Sequence, residues 1–299
     1  MTERLLKFIA HIFRVTPHFK GKFIIGKSIH KMLKGSNSWQ NPEFFIKLKN
    51  GVQLYIDIRS RTHLVPFWIG KRDQEIISII EKCLPPDAIV LDVGANIGYY
   101  TIPISYFLKL NNIQVHAFEP VSSNFDSLIK AIEKNNVAEN VIANKIALGD
   151  KEGTIDIIKT EAGNSGNAVL SINNDDFKIN CEREEIQMIT LDQYMTKNSI
   201  DRCDFIKVDI EGAEIFFIQG ALEVIKKCKP IIYGEFNSFF IKKFGFSIVD
   251  VWKLIEPFGY NVYIEDHKHP GKFMKTEIKN GMENLLFIPK EKDEKQWIK

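Results

Sequence analysis

Residues Ile89–Thr101 read IVLDVGANIGYYT. An apolar run of strand length, Ile89 to Val93, ends on Gly94, and the chain then passes Gly98 into a helix-like stretch. The segment therefore predicts a strand, a glycine turn and a helix start. Gly94 and Gly98 let the backbone approach a ligand closely, and the N–H groups at the start of the helix are expected to be open to an anion. The spacing is Gly-x-x-x-Gly with Asn96 inside it, which departs from the Gly-x-Gly-x-x-Gly of dinucleotide sites. A tight turn that binds nothing would begin the same way, so its meaning depends on what surrounds it.

Downstream, Gln114–Phe118 is a second apolar run, closed by Glu119-Pro120. The helix expected after it carries Phe125, Leu128, Ile129 and Ile132 on one face, with Ser123 and Asp126 spaced as a capping box. Val141–Leu148, Phe205–Val208 and Pro230–Phe236 read as further strands, and Ser247 caps a helix that ends near Gly259. Asn261–Glu265 and Leu285–Ile288 complete the set. Alternating strands and helices with apolar strands predict an α/β fold, a doubly wound, mostly parallel sheet with an antiparallel last strand.

Upstream, Asp73–Leu84 is a helix stopped by Pro85-Pro86. Residues 150–198 break the rhythm with Thr154–Ile158, Ala168–Ile172 and Glu185–Leu191, a small β insertion. Phe44–Leu48 and Gln53–Ile58 flank Asn50-Gly51, a hairpin signal. Leu5, Leu6, Ile9, Ile12 and Phe13 recur at helical spacing with Arg4, Lys7, His11 and Arg14 largely between them. The chain is thus expected to divide into an N-terminal extension, residues 1–70, and a catalytic domain, residues 71–299.

Hydrophobic residues make up 44% of the 299 and charged residues 26%, enough for a packed core. The net charge of +2 is uneven: residues 1–34 hold eight Lys or Arg against one acid, a net +7, which leaves −5 for the rest. Such a basic amphipathic helix either docks on a membrane surface or a partner, or packs on its own domain with solvated lysines. Cys83, Cys181, Cys203 and Cys228 form no CxxC pair and sit in or beside apolar runs, as reduced thiols of a cytoplasmic protein would. No run is long enough to span a bilayer, there is no convincing secretory signal, and nucleic acid is not expected as a partner.

Three acids stand where an open α/β sheet binds its ligands. Glu119, 21 residues after Gly98, ends the second strand and is placed to accept hydrogen bonds from a ribose diol; an exposed surface acid is the plain alternative. Asp209 closes the fourth strand in FIKVDIEGAE, residues 205–214, or simply caps a helix. Glu235, with Asn237, closes the fifth. Asp209 and Glu235 are the candidate general bases, and Asp209, Glu235 and Asn237 the candidate holders of a divalent cation. Glu211 and Glu214 read as first-turn acids, and His267 with His269 as a pair on a surface turn.

Taken together, Asp92–Thr101, Phe118-Glu119-Pro120, Ala147-Leu148-Gly149-Asp150 with Gly153, Thr190–Tyr194 and Ile206–Glu214 resemble the FkbM family of methyltransferases. The resemblance runs in order through more than half the chain and leaves residues 1–68 aside. It implies a Rossmann-like sheet that binds S-adenosylmethionine, and O-methylation of a hydroxyl on a sugar, a glycan or another secondary metabolite. It implies cofactor contacts at Asp92, Gly94, Ala95, Asn96, Gly98, Thr101, Glu119, Pro120, Ala147, Leu148 and Asp209. Two other functions fit part of the pattern. A nicotinamide oxidoreductase shares the glycine turn and ribose acid, although the turn spacing and the Asp-x-Glu-Gly run argue against it. A non-catalytic adenosine-binding scaffold, docked through the basic helix, is the other.

Overall fold

The apolar runs become strands of one central sheet in the computed structural model, which describes residues 2–17, 19–34, 41–71, 73–159, 168–170, 182–266, 269 and 271–292. Cys181, His267 and the end of the run Ala168–Ile172 lie outside the described residues. The chain opens with helices α1 (Thr2–Val15) and α2 (Lys22–Lys34), the antiparallel hairpin β1 (Glu43–Lys47) and β2 (Gln53–Asp57), and α3 (Leu64–Ile69). Then follow α4 (Gln74–Cys83), β3 (Ile89–Val93), α5 (Thr101–Leu108), β4 (Gln114–Phe118), α6 (Ser122–Asn135) and β5 (Val141–Asn144). The insertion holds β6 (Ala147–Leu148), β7 (Gly153–Lys159), β8 (Ala168–Leu170) and β9 (Glu182–Ile189). After it come α7 (Leu191–Lys197), β10 (Phe205–Val208), α8 (Glu214–Gln219), α9 (Leu222–Cys228), β11 (Ile231–Glu235), α10 (Ser238–Lys243), α11 (Ile248–Ile255), β12 (Tyr260–Glu265), β13 (Phe273–Lys275) and β14 (Asn284–Pro289).

The eight-stranded sheet has the order β13-β12-β14-β11-β10-β3-β4-β5. Strands β5, β4, β3, β10 and β11 run parallel, and β14 enters antiparallel beside β11. From β3 the chain steps outward to β4 and β5, then returns to the other side of β3 with β10 and β11. The order therefore reverses between β3 and β10, the place where open α/β sheets hold ligands. Both strands are almost wholly buried, as expected of strands covered by helices on both faces.

Four details differ from the sequence expectations. The run Val141–Leu148 is not one strand. Asn144 turns its side-chain amide onto Ala117 O and Ile142 O, the main-sheet strand ends, and Ala147–Leu148 joins a separate sheet of order β6-β9-β7-β8. Glu185–Leu191 likewise stops at Ile189, because Thr190 and Gln193 form a capping box that starts α7. The capping box expected at Ser123 is absent: the N-cap of α6 is Val121, two residues earlier, and Ser122 bonds Glu184 of β9 instead. Helices α2 and α3 were not foreseen. Gly26 weakens the helical signal of α2, yet it is needed there, since a Cβ would lie 2.6 Å from the Trp68 ring.

Helices α1 and α3 and the hairpin share their core with the sheet. Leu6, Ala10, Leu54 and Trp68 share one buried cluster with Val90 and Val115 of the sheet. Lys22 Nζ caps α1 by donating to Thr16 O at 2.9 Å, and Arg14 donates to Phe67 O at 2.7 Å. Asn135 of α6 exchanges two hydrogen bonds with the Gln53 backbone, which ties the hairpin to the sheet layer.

Candidate active site

The ends of β3 and β10 meet at Gly94 and Asp209. Asp209 N donates to Val93 O at 3.0 Å, Gly94 has φ +77°, and a Cβ on it would collide with the Asp209 carbonyl oxygen. Both the conformation and the space therefore require glycine. The turn that follows consumes its own donors. Gly94 N and Ala95 N both reach Phe118 O, Asn96 N reaches Glu119 Oε2 at 2.8 Å, and Ile97 N bonds Asn96 Oδ1. Gly98 N bonds Ala95 O, and Thr101 N bonds Asp92 Oδ2 at 3.0 Å. The expectation of amides open to an anion is thus not met at these six residues, because the turn uses them to clamp itself to β4 and β3.

Glu119 ends β4 and is only 4% exposed. Its Oε1 accepts from Val121 N at 2.9 Å and Asn124 Nδ2 at 3.3 Å, and its Oε2 from Asn96 N. A carboxylate has about four acceptor positions, so one is left on Oε2. Burial pushes the Glu119 carboxyl up to about 7, against the pull of its three donors.

Lys207, in the middle of β10, is the residue the sequence reading passed over. It is buried, donates to Gly94 O at 2.8 Å, and lies 3.3 Å from Asp92 Oδ1 and 3.9 Å from Asp209 Oδ2. Its ammonium also sits 5.2 Å from the Tyr100 ring centre. A lysine within the otherwise apolar run Phe205–Val208 is the available signal, since a buried charge requires partners. Glu214 is another buried acid. It accepts from Ile210 N and Gly212 N, pinning the turn after Asp209, and burial raises it to about 7. Helix α8 begins at Glu214 after Ala213, so Asp209 is not its cap.

These strand ends open on a cleft of about 440 Å³, a size suited to a small ligand. Seven expected residues line it: Gly94, Asn96, Glu119, Pro120, Ala147, Leu148 and Asp209. Tyr99, Tyr100, Phe216 and Phe244 add aromatic walls, Ile155, Ile157 and Met188 come from the small sheet, and Thr62 from the extension. The insertion therefore supplies part of the cleft wall. Asp92, Ala95, Gly98 and Thr101 are not among the lining residues. Asp92 and Thr101 are fully buried behind the turn, with Thr101 Oγ1 donating to Asp92 Oδ2 at 2.6 Å. Glu235 and Asn237 are not brought into the cleft either. Glu235 is exposed at the end of β11, paired in register with Asn284, and Asn237 caps α10 by accepting from Phe239 N. The cation set Asp209, Glu235 and Asn237 does not converge on the cleft, and no group of three His, Cys, Asp or Glu among the described residues is placed to hold a metal ion.

An open, Rossmann-like α/β sheet with an acid- and aromatic-lined cleft at its switch point is the class that fold and site define. The chain belongs to the family described as the Methyltransferase FkbM domain, whose model matches residues 92–262. It is 28% identical over 170 residues to the AMB antimetabolite synthetase AmbE of Pseudomonas aeruginosa, a match covering 46% of this chain and 8% of that one. It is 24% identical over 161 residues to the hexuronic acid methyltransferase AglP of Haloferax volcanii, covering 54% of this chain and 61% of AglP. It is 25% identical over 179 residues to the 2-O-methyltransferase NoeI of Sinorhizobium fredii, covering 56% and 70%. The chain thus spans a small part of the first relative and under two thirds of the second.

Proposed function

We propose that this chain is an S-adenosylmethionine-dependent O-methyltransferase acting on a hydroxyl of a sugar, glycan or related secondary metabolite. The observation that carries the reading is Glu119, a buried carboxylate at the end of β4 that lines the cleft with one acceptor position left. The residues present fit the cofactor. The Gly94 backbone leaves the cleft floor without a side chain, Glu119 suits a ribose hydroxyl, and Ala147 and Leu148 offer apolar surface to adenine. Lys207, which donates to Gly94 O and faces Asp92 and Asp209, holds the turn on which the cofactor would rest. Bound there, S-adenosylmethionine supplies an activated methyl group.

The remaining chemistry belongs to the chain. Asp209, partly exposed on the cleft wall, is the carboxylate placed to take the proton of an acceptor hydroxyl. Tyr99, Phe216 and Phe244 line the same cleft and give it apolar walls. Glu235 lies outside the cleft, so the base role goes to Asp209 alone. In this reading residues 71–299 form the catalytic domain, residues 150–198 wall its cleft, and residues 1–70 are an extension that adds Thr62. The names of AglP and NoeI, a hexuronic acid methyltransferase and a 2-O-methyltransferase, support a sugar hydroxyl as acceptor. The test is calorimetry with S-adenosylhomocysteine, followed by incubation with methyl-labelled S-adenosylmethionine and glycan fractions. Binding, with label on a glycan oxygen, is expected. No S-adenosylhomocysteine binding by the folded chain would overturn the reading.

A further inference from the structure

Helix α1 carries two apolar faces, and its own domain uses one. Leu6 and Ala10 are buried in the shared core, with Ile9 and Phe13 packed against it. Leu5, Phe8, Ile12 and Val15, three or four residues apart and so on one side of the helix, are exposed, Phe8 at 62% and Val15 at 67%. Phe19 in the connection is exposed as well, and α2 adds Ile24 at 69% and Met32 at 73%. Single exposed apolar side chains are ordinary, but a set of this size on two neighbouring helices marks an interaction surface. Every described exposed charge on these helices and their connection is basic: Arg4, Lys20, Lys27 and Lys31. Lys22, Arg14 and Lys7 are not part of this fringe, being engaged with Thr16 O, Phe67 O and the Phe44 ring.

We propose that the outward faces of α1 and α2 dock this protein on an anionic lipid bilayer. Apolar side chains interleaved with lysines match the boundary between acyl chains and acidic headgroups, where each basic residue and each buried apolar group adds affinity. A second copy of the chain is the poorer occupant, since a symmetric contact would set this basic fringe against itself. The proposed contact is peripheral; no helix among the described residues is long and apolar enough to cross a membrane. The two helices are anchored to the rest of the chain, with Gly26 seated on Trp68 and Lys22 capping the end of α1.

Cosedimentation of the full chain with phosphatidylcholine vesicles, with and without phosphatidylglycerol, tests this. Binding to the anionic vesicles is expected, weakened by salt. Phe8→Ser with Ile12→Ser should lower partitioning about tenfold or more, because two apolar groups no longer enter the lipid. Lys27→Glu with Lys31→Glu should do the same through charge. All four side chains are exposed, so melting temperature and S-adenosylhomocysteine affinity should hold in both variants, which separates this surface from the cleft. The proposal is overturned if the wild-type chain leaves anionic vesicles in solution, or if both double variants bind as it does. It is also overturned if sedimentation shows a wild-type dimer that Phe8→Ser with Ile12→Ser dissolves, which would assign the face to a second copy.

Discussion

Glu119 has two roles in one carboxylate: it accepts from the Asn96 and Val121 amides, and it keeps a lone pair for the cleft. Glu119→Ala should therefore weaken S-adenosylhomocysteine by about 1–3 kcal/mol and also lower the melting temperature, since buried N–H groups lose their acceptor. Calorimetry giving an unchanged affinity in folded Glu119→Ala would remove it from the site. Asp209 separates more cleanly. Its backbone N–H holds Val93 O, its side chain is partly exposed, and it caps no helix. Asp209→Asn should leave melting temperature and S-adenosylhomocysteine affinity nearly unchanged while lowering turnover about 10²–10⁴-fold. A wild-type rate would end its assignment as base. Of the candidate acids, Glu119 and Asp209 were legible because each closes an apolar run at the ligand edge of the sheet. Glu235 satisfies that same rule, yet it stands outside the cleft. Which strand-end side chains line a cleft depends on what the following loop and the insertion cover, and no local pattern carries that.

At the scale of elements, strands buried on both faces wrote themselves into the sequence as apolar runs, and the glycine turn marked the switch point. The small sheet was legible as three β-like runs but not in its joint to the sheet above it. That joint depends on Gly220, where a Cβ would run into the Gly149 carbonyl oxygen and lie 3.1 Å from Thr190 Cβ. Gly220 has φ −85°, an ordinary value, so only space requires glycine. Gly220→Ala should push β6 and the capping Thr190 away from the α8–α9 corner. Overpacking of this kind costs about 1–3 kcal/mol. Because Ala147, Leu148 and Met188 line the cleft on that side, S-adenosylhomocysteine affinity should fall with the melting temperature. Gly259→Ala is the control, with positive φ but nothing within 4 Å and no cleft residue beside it. It should lose stability from backbone strain alone and keep its affinity. Equal affinities in the two variants would show that the joint does not shape the cleft. The same reasoning explains α3: six residues, LVPFWI, all apolar, show no period because the element is buried under α1 and α2.

Across the whole molecule, the acid-to-neutral titrations should set where the fold is most stable. Burial raises Glu81, Glu119 and Glu214 from the ordinary 4.5 to about 7, and burial lowers His116 from 6.5 to about 4. A raised carboxyl stabilises the fold in its protonated form, so its contribution is complete below pH 4.5 and is lost as pH rises through about 7. The lowered histidine works the other way: it stabilises the fold above 6.5, and that is lost as pH falls toward 4. Between those limits the unfolded chain binds one more proton at His116 and three fewer at the glutamates, so stability should fall as pH rises from about 5 to about 7.5. Glu81 is only half-buried and counts for less than the other two, which leaves the sign unchanged. Glu214 isolates the effect. Its Oε1 holds Ile210 N and Gly212 N, while Oε2 has no hydrogen-bond partner among the described residues. An unpartnered buried oxygen favours the neutral acid. Glu214→Gln retains the acceptor and removes the titration, so its melting temperature should fall less between pH 5 and pH 7.5 than that of the unaltered chain, by roughly one group's share. Melting scans across that range read the slope directly. A wild-type melting temperature that rises toward neutral pH, or a Glu214→Gln slope equal to the wild type's, would show that these buried carboxyls are already ionised in mild acid.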